Sequence, residues 1–304
     1  MGYSRRTFLK NSALAVAATG FLPRDTSSYF KKGVTGLQLY SVRDEMKADP
    51  SGTLKKLAEM GYKYVEHAGY VDHKFYGSPA KEFRAQLDGL GLKMISGHTR
   101  LGASDWNESA KDFSDSWKKT VEDAAIAGQQ YVVSPSLEEA QRKTYDDLMR
   151  FMDVFNRSGE LCKKHGMKFG YHNHDFEFSS VLNNKKVYDI IMQNTDPALV
   201  AHQLDMGNLY NGGAIAIAVV MQYPGRYELM HVKDEIKSAT TAAGRDKFES
   251  TILGEGIVNT KQVCDLGRKS GGTRVFIIEQ ESYQGKTPLG CAKADLEIMK
   301  KWGY

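Results

Sequence analysis

The 304-residue chain predicts an α/β fold, a single (β/α)8 barrel preceded by an export leader. Three observations predict it. Short apolar runs alternate with helical segments from residue 34 onward, and most of the helical segments end at a glycine. Carboxylates and imidazoles gather where the apolar runs end, the face on which such barrels carry their chemistry.

Residues 34–41 read as the first strand, with a helix at 53–60 stopped by Gly61. The second strand is 62–67, followed by a helix at 80–90 and Gly91. The third is 92–97, and the helix at 117–126 ends at Gly128. The fourth is 130–134, followed by a long helix at 145–164 that stops near Gly166. Strand five is 167–172 with a helix at 187–192, and strand six is 199–204 with a helix at 214–221. Strand seven is 226–232, then a long loop at 234–256, a helix at 260–269 and the eighth strand at 274–278. Eight such units in about 270 residues fit one closed barrel. A doubly wound sheet needs a glycine-rich phosphate loop after its first strand, and none stands there. The domain reading is therefore a leader and tether at 1–32 and a barrel at 33–304.

The formal charge of +4 sits in the leader. Arg5, Arg6, Lys10, Arg24, Lys31 and Lys32 face only Asp25, so residues 33–304 carry a net −1. That leaves no basic face for nucleic acid. Cys162, Cys264 and Cys291 are too far apart for a zinc knuckle and indicate no disulfide framework. The run Ser4-Arg5-Arg6-Thr7-Phe8-Leu9-Lys10 before a short alanine-rich stretch resembles a twin-arginine export signal. It predicts transient engagement of the twin-arginine translocase and a periplasmic or otherwise exported location. The stretch is far shorter than the roughly 20 residues of a membrane span, so no permanent anchor is expected. Self-association is left open.

Side chains alternate across a strand, so each strand end can be sorted by parity. Gly170, His172 and His174 share one face, as do Gln203 and Asp205, Leu229 and His231, and Ile277, Glu279 and Glu281. The first three strands offer Gln38 and Tyr40, Tyr64 and Glu66, and Ser96 and His98. His202 has the opposite parity to Asp205 and reads as structural. Trp106, Trp117 and Trp302 read as packing residues.

The stretches 36–43, 61–66, 170–175 (Gly-Tyr-His-Asn-His-Asp), 204–205, 231–234 (His-Val-Lys-Asp), 253–256 (Leu-Gly-Glu-Gly) and 278–279 resemble the xylose isomerase-like barrels of the sugar phosphate isomerase/epimerase type. These include ketose 3-epimerases, inosose dehydratases and, more distantly, endonuclease IV. The resemblance covers about residues 34–302. It implies one divalent ion, Mn, Mg, Co or Zn, held by side chains from strands five to eight. Carried over residue by residue, Asp205, His231 and Glu279 fill three ligand places. Where the epimerases have a glutamate on strand five, this chain has His172, with His174 and Glu177 close by as alternatives. That departure argues against simple two-base epimerisation. Asn208 stands where a histidine is common and points to an altered substrate.

Glu279 and His172 are the candidate proton-transfer groups as well as ligands. Glu66, His98, His174, Glu177, Gln38, Tyr40, Asn208, Lys233 and Glu255 are candidate substrate contacts. A mixed oxygen and nitrogen site suits Mn, Co or Zn better than Ca. An ion there stabilises an enediolate, which serves isomerisation, epimerisation or β-elimination of a sugar. Export and the lack of an arginine cluster favour a non-phosphorylated, keto-type sugar. A sugar-binding barrel without turnover is the alternative. An endonuclease IV-like phosphodiesterase fits less well, because eight histidines and a neutral core supply too few ligands for three zinc ions.

Overall fold

The computed structural model describes residues 33–238 and 248–304. The predicted leader and the middle of the predicted 234–256 loop lie outside them. The eight main strands are β1 (Val34–Gln38), β2 (Tyr64–His67), β3 (Lys93–His98), β4 (Tyr131–Ser134), β5 (Lys168–His172), β6 (Val200–Asp205), β7 (Leu229–Val232) and β8 (Val275–Ile278). All pair in parallel with their sequence neighbours, and β8 returns to β1 to close the barrel. Registers place Gln203 beside His172 and Asp205 beside His231. Inward-facing polar residues from different strands are thereby brought alongside one another.

The outer helices are α1 (Pro50–Met60), α2 (Ala80–Gly89), α3 (Asp115–Ala127), α4 (Tyr145–Lys164), α5 (Val187–Asn194), α6 (Ala216–Gln222), α7 (Thr260–Leu266) and α8 (Pro288–Trp302). Helix α4 shows how sequence makes one of them. Thr144 and Asp147 form a capping box, and Leu148, Phe151, Met152, Phe155 and Cys162 recur on one buried face. Trp117 is fully buried and donates to Ser158 Oγ at 3.1 Å, tying α3 to α4. Trp106 and Trp302 are partly buried against apolar clusters, so all three tryptophans are packing residues.

The barrel interior is filled below by Val34, Ile95, Tyr131, Val133, Ala201, Leu229, Val275 and Ile277. Gly36 suits this level, since a Cβ there would stand 2.9 Å from Ile277 Cδ1 and 3.1 Å from the backbone oxygen of Tyr64. Above this apolar plug the inward residues are polar.

Most predicted boundaries shift by a few residues, and three differ in kind. The first strand ends at Gln38, because its side-chain oxygen accepts from Tyr40 N (3.1 Å) and turns residues Leu39–Val42 into a 3-10 helix. The predicted 234–256 loop contains a hairpin pairing Asp234–Lys237 with Phe248–Thr251. Helix α7 stops at Leu266 and widens into a π turn at Gly267–Gly271.

Asp295 on α8 accepts from Leu253 N at 2.9 Å and leaves its other oxygen, Oδ2, buried and without a hydrogen-bond partner. Burial, helped by Asp234 and Glu255 and only partly offset by the Leu253 bond, pushes its carboxyl up to about 7. Because the folded value is raised, stability is highest below the ordinary value of 3.8 and falls as pH rises toward 7. Asp295→Asn keeps an acceptor and a donor in place of the protonated acid. It is expected to raise stability at pH 8 by on the order of 2–4 kcal/mol and leave stability at pH 4 nearly unchanged. Urea unfolding at the two pH values checks this, and an equal effect at both would refute it.

Candidate active site at the barrel mouth

The polar layer is built around Glu66, which is fully buried. Its Oε1 accepts from Gln38 Nε2 at 2.7 Å and lies 2.5 Å from His231 Nε2. Its Oε2 accepts from Ser96 Oγ at 2.5 Å and from Gln203 Nε2 at 2.7 Å. Burial alone would raise this carboxyl. His98 and His231, with the hydrogen bonds from His231 and Ser96, outweigh it and hold the value near 2.

One level higher stand the three residues assigned by parity. Asp205 ends β6 and caps the short helix Met206–Asn211, accepting from Asn208 N at 2.6 Å through Oδ1. The Asn173 side chain clamps its backbone, accepting from Asp205 N (3.0 Å) and donating to Asp205 O (3.2 Å). Its Oδ2 is buried with no hydrogen-bond partner. His231 Nδ1 lies 3.1 Å from Glu279 Oε2 and 3.6 Å from Asp205 Oδ2. Ligand-capable atoms of Asp205, His231 and Glu279 all lie within 4.8 Å of one another, as do those of His98, His172 and His231.

Burial would lower the pKa of His231, but Glu279 and Glu66 raise it well above the usual imidazole range. Burial would raise Glu279, but Lys233 and His231 hold it well below the usual carboxylate range. Lys233 shares the parity of His231 and is buried. Its ammonium lies 3.4 Å from Glu279 Oε2 and 3.7 Å from Asp205 Oδ2, donates to Asn208 Oδ1 at 3.3 Å, and pairs with Glu281. Burial lowers the Lys233 pKa, yet Asp205, Glu279 and Glu281 together raise it well above its ordinary value.

On strand five, His172 is the group that enters the cluster, with Nε2 3.9 Å from Asp205 Oδ2 and 3.4 Å from Asn208 Nδ2. Burial, then His231 and His98, lower its pKa well below the imidazole range. His174 sits above it, with ring centroids 5.3 Å apart and Nδ1 lacking a hydrogen-bond partner.

Other sequence candidates are placed differently. Glu66 lies too deep for a substrate contact, and Gln38 serves it from β1. Glu177 turns away behind β5, where it accepts from Tyr171 OH and from His174 N (2.9 Å). Burial pushes its carboxyl up to about 7. Tyr40 is exposed on the 3-10 turn, with the Arg43 guanidinium 4.8 Å from its ring centre. Glu255 is exposed, because Asp234 accepts from Gly254 N, Gly256 N and Val258 N and fixes that turn with the glutamate outward. His202 faces outward and bonds Thr195 Oγ1 at 2.9 Å. Gln203, Asn173 and Glu281 were not on the sequence's list of site residues. Parity had already marked Gln203 and Glu281, while Asn173, on the other parity, stood only within the 170–175 stretch.

Carboxylates, imidazoles and one lysine converge at the C-terminal mouth of an eight-stranded α/β barrel, the face on which such barrels carry their chemistry. Residues 54–302 match the profile of the xylose isomerase-like TIM barrel family, and the chain belongs to it. An inosose dehydratase of Geobacillus kaustophilus is 25% identical over 245 residues, 74% of this chain and 73% of that protein. The solved structure of a sugar phosphate isomerase/epimerase from Parabacteroides distasonis is 26% identical, with a TM-score of 0.75, covering 95% of this chain and 97% of that one. An IolI protein with a bound zinc atom shares the fold, at 13% identity and a TM-score of 0.67 over 89% of this chain and 98% of that one. No described helix is long and apolar enough to cross a membrane.

Proposed function

We propose that this protein is an exported, divalent-metal-dependent enzyme that removes a proton beside the carbonyl of a non-phosphorylated keto sugar or inosose. Elimination of water is the reaction favoured. The observation that carries this is the buried, unpartnered Asp205 Oδ2 facing His231 and Glu279. An acceptor-only oxygen that takes no hydrogen bond, with Lys233 no nearer than 3.7 Å and other ligand atoms around it, fits a cation. Asp205, His231, Glu279 and His172 would hold it, a mixed set compatible with Mn, Co, Zn or Mg. The relatives support carbohydrate chemistry, and a zinc-bound neighbour shows that the fold accommodates a metal.

A bound ion would supply Lewis acidity, polarising the carbonyl so that the neighbouring C–H becomes acidic. Glu279, kept anionic by Lys233 and His231, takes that proton on its carboxylate. Glu279 then passes that proton to the departing hydroxyl, which leaves as water. His174, which burial keeps neutral and whose Nδ1 has no hydrogen-bond partner, accepts a hydrogen bond from a substrate hydroxyl. Lys233 and Asn208 orient hydroxyl groups between them. With a histidine in the strand-five place, a second carboxylate base is missing, which disfavours epimerisation. The test is a panel of inososes and free 3-keto sugars in D2O. Deuterium at one carbon with loss of water, abolished by chelation and restored by one equivalent of metal, is the expected result. Full turnover by metal-free protein would overturn it.

A second reading rests on Lys233, which already balances Asp205 and Glu279. On that reading the barrel captures sugar without turnover, and purified protein contains no stoichiometric, chelator-removable ion.

Export rests on the Arg5-Arg6 leader. Replacing both with lysine is expected to retain the protein inside the cell, read by fractionation. Unchanged secretion would remove the twin-arginine assignment.

A further inference from the structure

We infer that Glu66 is a positioning residue that sets the protonation pattern of two metal-facing histidines, His231 directly and His172 through Gln203. The inference rests on the metal reading above and assigns the device that would make these rings ligands.

The argument is a count of hydrogens. An ionised carboxylate only accepts. Glu66 takes four hydrogen bonds, from Gln38, Ser96, Gln203 and His231, and is closed to solvent. The proton between His231 Nε2 and Glu66 therefore belongs to the ring nitrogen. Of the two ring nitrogens, only Nδ1 is then free to give up its hydrogen to an incoming cation, and Nδ1 is the atom facing Asp205 and Glu279. Carboxylate–histidine pairs of this kind orient ligand rings.

The second branch passes through an amide. Gln203 must turn its NH2 toward Glu66, because its oxygen cannot approach a carboxylate. Its Oε1 then faces His98 Nε2 at 2.8 Å and His172 Nδ1 at 3.0 Å, so both of those ring nitrogens carry hydrogen. On the far side of His172, Asn208 Oδ1 accepts from Lys233, which leaves Asn208 Nδ2 to donate to His172 Nε2 at 3.4 Å. Both neighbours thus demand the same form, hydrogen on Nδ1 and a lone pair on Nε2. That lone pair faces Asp205 Oδ2.

The experiment uses the full-length protein with nitrogen-15-labelled histidine, Glu66→Gln and Gln203→Met. Nitrogen–proton correlation spectra of metal-free protein report which nitrogen of His172 carries hydrogen, and calorimetric titration with Mn²⁺ or Zn²⁺ reports affinity. Wild type is expected to show His172 protonated at Nδ1. Glu66→Gln frees the Gln203 amide to turn its NH2 toward His172. Because that contact at 3.0 Å outweighs the longer Asn208 contact at 3.4 Å, the variant should move the proton to Nε2 and weaken metal binding about 10–100-fold, the usual cost of losing such a partner. Gln203→Met should shift His172 and His98, both of which face the Gln203 oxygen, and leave the His231 nitrogens in their protonation state. A folded Glu66→Gln or Gln203→Met protein with His172 still protonated at Nδ1 would overturn the relay. Should Glu66→Gln not fold, Gln203→Met decides it. Wild type binding no metal would defeat the metal reading, while the His172 spectra would still decide the relay.

Discussion

Asp205→Asn is expected to leave the barrel folded, remove the bound divalent ion and cut turnover about a thousandfold. Asparagine keeps the oxygen that caps the Met206–Asn211 helix, so Asn208 N retains its acceptor. It replaces the unpartnered Oδ2 with an NH2, which cannot ligate and points a donor at the place a cation would fill. Losing Lewis-acid stabilisation of about 4 kcal/mol in the transition state corresponds to that rate change. Metal content by elemental analysis and steady-state rates on the same sample check both halves. One equivalent of tightly held metal together with near-normal turnover would remove Asp205 from the centre.

Lys233→Met has the opposite signature, a large loss of stability that metal should partly restore. The ammonium is buried among Asp205, Glu279 and Glu281. Removing one partner of a buried ion pair strands the other charges, at about 3–5 kcal/mol. Methionine fills similar space without supplying charge, so the loss should be electrostatic. A divalent ion returns positive charge to the same carboxylates and binds only the folded state, which offsets part of the deficit. Urea unfolding in chelator and in excess Mn²⁺ measures both. If the variant matches wild type in chelator, Lys233 is not the counter-ion of the acidic pair.

Strand alternation made Asp205, His231 and Glu279 legible, because the period of two holds to the end of β6, β7 and just beyond β8. Closure of eight units into one barrel was legible because each apolar run was short and most helices had a glycine stop. Tyr40 was placed on the first strand because the period was carried past Gln38, whose own side chain ends the strand. Glu177 was misread because the helix Phe176–Ser179 begins at once and folds the carboxylate back onto Tyr171. Glu255 looked like a rim group, but the backbone N–H groups around it belong to Asp234. The Glu66 centre could not be read from spacing. Its partners Gln38, Ser96, Gln203 and His231 lie on four other strands, up to 165 residues away, and meet only when the barrel closes.

Both ends of the barrel lie at the foot of the strands. Val34 N bonds Arg274 O below β8, and the Tyr304 ring packs on Phe276, 4.7 Å between centroids. The mouth with Asp205 and Glu279 opens at the other pole. A surface linker or a fused partner joined at Tyr304 would therefore hold the barrel by its base, leaving the mouth with Asp205 and Glu279 facing outward.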